Sequence, residues 1–210
     1  MSDSFLVAAR LPMGRDAFER WLDAPVPGRE AIANIDEMFA GWFWDGKAAG
    51  KGWSKAGRGL TVREWLAERV EGSCGKRPTL TIVRHEDEAL QVYLFDVGYS
   101  EWDTQPALLA LAAAAPSAPG EVLFWAETGG QLLDPAAKGW LAVLEVGPDG
   151  ARFVRDRDLT AAVAGLRGIE DVFFAAAERV GEAEEEWDPQ EEPEFRTQAP
   201  KEFVDPAVLR

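Results

Sequence analysis

Two short polar turns, each set between strand-like runs, limit the topologies open to this chain. His85-Glu86-Asp87-Glu88 separates the β-rich residues 80–84 and 89–97, and Gly147-Pro148-Asp149-Gly150 separates residues 140–146 from 151–155. Connections this short join antiparallel neighbours, because a parallel pair needs a crossover of a dozen or more residues. Residues 89–97 are almost continuously apolar (Leu90, Val92, Tyr93, Leu94, Phe95), which predicts an interior strand covered on both faces. Period-two alternation puts Phe5, Val7, Ala9 and Leu11 on one face of a first strand, and residues 121–127 read as another.

Between the strands the apolar spacing changes to that of helices. Residues 14–23 carry Phe18, Trp21 and Leu22 on one side before Pro25 and Pro27 stop the pattern. Residues 30–39 read as a second short helix. Thr61-Val62-Arg63-Glu64 has the form of a capping box and opens a helix to about Val70. A helix over residues 104–115 is expected to start near Pro106, since proline suits a first turn. Asp158 is placed to cap a final helix, which Gly165 and Gly168 are expected to divide. Together these elements predict an α+β fold, a mostly antiparallel sheet with helices packed on it. Regular βαβ alternation fails at both hairpins, which counts against a doubly wound sheet.

Charge divides the chain further. Residues 182–210 hold ten acids and three bases, so that stretch carries −7 of a total net charge of −15. With Pro189, Pro193, Pro200 and Pro206 it does not read as one long helix. The expected organisation is a single domain over residues 1–181 and an acidic extended C-terminal arm over residues 182–210. Within the arm, Glu184, Glu185 and Glu186 precede Trp187 and Asp188, and Glu191 and Glu192 precede Phe195. Acids flanking aromatics suit a linear contact in a basic groove, with the ring inserted and the charges at the rim.

The overall acidity excludes nucleic acid as the expected partner, because phosphate binding draws on clustered Lys and Arg. No apolar run approaches membrane-spanning length, so no membrane association is expected. The lone Cys74 forbids an intrachain disulfide and fits a reducing, cytoplasmic setting. Asp3, ahead of a short apolar stretch, is unlike the basic start of a secretory signal.

Chemistry-bearing motifs are sparse. Cys74 and His85 are the only residues of their types and carry no nucleophile signature. One His and one Cys cannot make a zinc cluster, and Glu86-Asp87-Glu88 lacks the spacing and glycine of a calcium loop. No cofactor is expected. Gly41-x-x-x-x-Gly46-Lys47 starts like a phosphate-binding loop, but Ala48 stands where the magnesium-holding hydroxyl belongs. Gly129-Gly130-Gln131 repeats the tripeptide of class-1 release factors between Glu127 and Asp134, the wrong charge for entering ribosomal RNA. Residues 41–60 concentrate Lys47, Lys51, Lys55 and Arg58 with six glycines. Trp44 and Trp53 there are candidate anchors of a recognition surface. The alternative is a surface loop after a buried strand end at residues 42–45.

In size, acidity, lone cysteine and the acid–aromatic stretch over residues 182–195, the chain resembles bacterial toxin-immunity proteins. The resemblance implies a non-catalytic protein that binds and neutralises a basic, toxin-like protein partner. The competing expectation is an enzyme or small-ligand protein with a site near the loop at residues 46–59.

Overall fold

The computed structural model describes residues 4–48, 53, 59–71, 80–95, 101–127, 139–185 and 203–210. Six strands form one antiparallel sheet: β1 (Ser4–Pro12), β2 (Thr81–Glu86), β3 (Ala89–Leu94), β4 (Gly120–Glu127), β5 (Trp140–Gly147) and β6 (Gly150–Val154). Their order across the sheet is β2-β3-β1-β4-β5-β6. The helices are α1 (Arg15–Asp23), α2 (Val62–Glu71), α3 (Glu101–Ala112) and α4 (Thr160–Glu185).

Alternation along β1 explains the layering. Phe5, Val7, Ala9 and Leu11 enter a core shared with α1, α2 and α3. Leu6 and Ala8 enter a second core, closed by Leu159 and by Val163, Leu166, Ile169, Phe173 and Ala176 of α4. The sheet is therefore covered on both faces, and β1 and β3 are buried because helices lie above and below them. Every residue of β3 is buried, as the continuous apolar run predicts. Trp21 ties α1 to α3, its indole N–H donating to the Ala110 carbonyl at 2.7 Å.

Local signals account for most boundaries. The Thr61 amide donates to Glu64 Oε2 at 2.7 Å and the Glu64 amide to Thr61 Oγ1 at 3.2 Å, completing the predicted capping box. Asp158 Oδ1 accepts the Thr160 amide at 2.9 Å at the start of α4. Asp87 and Glu88 have φ of 50° and 51°, as a two-residue hairpin turn of the right twist demands.

Four expectations change. α4 is one continuous helix of 26 residues through Gly165 and Gly168. Both glycines face solvent, so neither removes a packing contact, and the buried stripe on the opposite side carries the helix past them. Residues 30–39 form two short 3-10 turns, Arg29–Ala31 and Ile35–Glu37, rather than a helix. α3 begins at Glu101, with Pro106 inside it. Residues 42–45 form a turn bounded by Gly41 and Gly46 at φ of 81° and 82°, not a strand end.

Both sheet edges are closed by the chain itself. Beside β6, the Asn34 side chain acts as a strand, accepting the Phe153 amide at 2.7 Å and donating to the Phe153 carbonyl at 2.9 Å. Ala33 adds a bond from its amide to the Ala151 carbonyl. Beside β2, Val204 bridges Val83 in parallel, and the Asp205 amide donates to the Val83 carbonyl at 2.7 Å. Val204, Ala207 and Val208 are buried in the α1–α3 core. The boundary expected at residue 181 thus falls inside α4, and residues 203–210 pack against the body. Among the described residues, no helix is long and apolar enough to cross a membrane.

Candidate functional site

The outward side of α4 carries one of the two exposed large apolar side chains among the described residues. Phe173 and Phe174 are adjacent in sequence, and one helical step separates neighbours by about 100°. Phe173 takes the inward position, 4.6 Å from the Tyr93 ring and 5.2 Å from Phe95. Phe174 is consequently turned out and 45% exposed. Asp171 and Glu178, one turn before and one turn after it, are exposed, as is Ala175. The helix itself continues through Glu182, Glu184 and Glu185.

Beside this stripe runs an open groove of about 600 Å³ between α4, β2 and the C-terminal segment. Arg84, Glu86, Asp171, Phe203 and Asp205 line it. Its charged groups are mostly paired. Arg84 pairs with Glu86. Arg15 grips Asp205 with two bonds of 2.5 and 2.9 Å. Burial raises the Asp205 pKa. The Arg15 bond, the Ala207 amide, the Arg15 charge and the His85 amide outweigh it and hold the carboxyl below its ordinary value. His85 has a structural partner, Nε2 lying 2.8 Å from the Met13 carbonyl oxygen with the ring against Phe18. Cys74, the thiol considered with it, lies outside the described residues.

The aromatic turn at residues 42–44 divides its rings between the two cores. Trp42 packs against the α4 core and donates to the Val154 carbonyl at 3.0 Å. Trp44 is half-buried between Phe5 and Phe39, at 5.8 and 5.4 Å, with Lys47 Nζ 3.8 Å above its ring. Lys47 therefore caps an aromatic face instead of standing in a phosphate loop. Trp53, expected as an outward anchor, is 3% exposed and packs 6.5 Å from Phe153, so it belongs to the core. Phe43 is the exposed ring here, at 62%.

Glu184 and Glu185 lie in the last turn of α4. Glu186, Trp187, Asp188, Glu191, Glu192 and Phe195 lie outside the described residues, as do Lys51, Lys55, Arg58 and Gly129-Gly130-Gln131. The sequence did carry a signal for Phe174, since two consecutive phenylalanines on a one-sided helix cannot both face inward. Among the described residues, no group of three or more His, Cys, Asp or Glu side chains is arranged to hold a metal ion. No protein-family model, curated protein or solved structure matches the chain.

Proposed function

We propose that this chain acts by contact, holding a basic protein partner against the outward face of α4, as an immunity protein holds its toxin. The observation that carries this is Phe174, an exposed ring with Asp171 and Glu178 one turn to either side on a continuous helix. A ring of this kind supplies apolar area at the centre of an interface, while carboxylates at the rim steer and orient a basic surface. The net charge of −15 extends that attraction beyond contact distance. The closed edges at β2 and β6 favour recognition through side chains over strand addition.

The test is capture of partners from the native host by the immobilised chain, at low and at high salt. The comparators are Phe174→Ala and the double variant Asp171→Lys/Glu178→Lys. A specific partner that is retained by the native chain, released by salt and lost by both variants supports the proposal. Equal retention by all three chains would overturn it.

A further inference from the structure

The register of the sheet aligns one polar side chain from every strand on the face that carries α4. Leu6 and Ala8 of β1 point into the α4 core, so alternation sends Arg10 to the same side, where it is exposed. Gln91 of β3 stands opposite Arg10, and Arg84 of β2 opposite Gln91. In the other direction Ala9 pairs with Val122, which sets Glu121 of β4 beside Arg10. Glu121 faces Glu145 of β5, and Glu145 faces Arg152 of β6. The next row along the strands, Ile82, Tyr93, Ala8, Leu123, Val143 and Val154, is the apolar one that α4 covers.

The two ends of the polar row are neutralised internally. Arg84 pairs with Glu86. Arg157 donates to Glu121 at 2.9 Å and to Glu145 at 2.5 Å, and Arg152 donates to Glu145 at 2.9 Å. The middle is different. Among the described residues, neither Arg10 nor Gln91 has a hydrogen-bond or ion-pair partner, although Gln91 is only 8% exposed. Neither amide atom of Gln91 is among the fully buried side-chain atoms without a partner, so the amide is where this residue still reaches solvent, opposite Arg10. Directly opposed residues on adjacent strands stand about 5 Å apart at Cβ, close enough for a guanidinium and an amide to share one ligand.

We propose that Arg10 and Gln91 form a binding site for a compact oxyanion, the carboxylate or phosphate group of a small molecule. The guanidinium supplies a fork of N–H donors matched to two oxygens, and the Gln91 amide supplies another donor from the adjacent strand. Glu121 and Glu86 do not oppose an anion strongly, because Arg157 and Arg84 already balance them. The site is independent of the partner-binding face: it uses the open end of the sheet beside α4.

The experiment is a titration of the full chain with inorganic phosphate and, separately, with citrate. Ionic strength is held constant with chloride, and backbone amide NMR shifts are the readout. Saturable shifts centred on β1 and β3 are expected, and the anion that saturates first identifies the source chemistry. Arg10→Met and Gln91→Glu should each weaken binding about tenfold or more. Arg152→Met, which removes an equal charge from the paired end of the row, should leave it unchanged. Absence of saturation with both anions, or an equal loss in Arg152→Met, would overturn the proposal.

Discussion

Arg15 and Asp205 are 190 positions apart in sequence, yet they form the best-defined ion pair at the C-terminal segment. Asp205 is nearly buried, at 8% of its side chain, while Arg15 keeps 39% of its exposure. Replacing Asp205 by Asn leaves Arg15 with a weakened partner and should cost about 1–3 kcal/mol, measured by urea unfolding at neutral pH. The acid limb follows from the depressed carboxyl pKa. A group whose folded pKa lies below its unfolded value stabilises fully above that unfolded value, here about 3.8, and the stabilisation fades as pH falls through the folded value. The native chain should therefore lose stability below about pH 3.8 more steeply than Asp205→Asn. Parallel acid slopes would contradict this. At this scale the sequence is legible only where partners are close along the chain. Thr61 and Glu64 are three residues apart and announce their capping box. Asp205 has no local sign of Arg15, and Trp53 has none of Phe153.

α4 shows how packing overrides propensity. Gly165 and Gly168 each cost roughly 1 kcal/mol relative to alanine within a helix. Its buried stripe outweighs both. A methyl group at either position meets nothing within 4 Å. Gly165→Ala and Gly168→Ala should each stabilise the protein by about 0.5–1 kcal/mol, read as a raised thermal midpoint. A lowered midpoint would show that the glycines are needed for close approach. The hairpins were legible because their turns and strand periods agree. The short 3-10 turns near residues 29–37 were not, because what fixes them is distant: Asn34 serves the edge of β6. Asn34→Ala removes both side-chain bonds to Phe153 and opens that edge. It should lower stability by about 1–3 kcal/mol and promote self-association seen by light scattering.

Over the whole molecule, an antiparallel sheet is buried between α1–α3 on one side and α4 on the other. The fold class was readable because strand type and helix type each have their own period. Strand order was not, since β1 lies between β3 and β4 through contacts that no local pattern specifies. For the candidate contact face, the sequence reading named Trp44, Trp53 and the arm residues between Glu184 and Phe195. The fold draws Trp44 and Trp53 into or beside the core, residues 186–195 lie outside the described residues, and Phe174 was passed over. The central claim is that a basic partner is held by the acid-flanked ring on α4. Its most direct measurement is the affinity of the captured partner for the native chain and for Phe174→Ala across a salt series. The account predicts an affinity that falls steadily with salt, together with a loss of about tenfold or more in Phe174→Ala at every salt concentration. An affinity indifferent to both salt and Phe174 would contradict it.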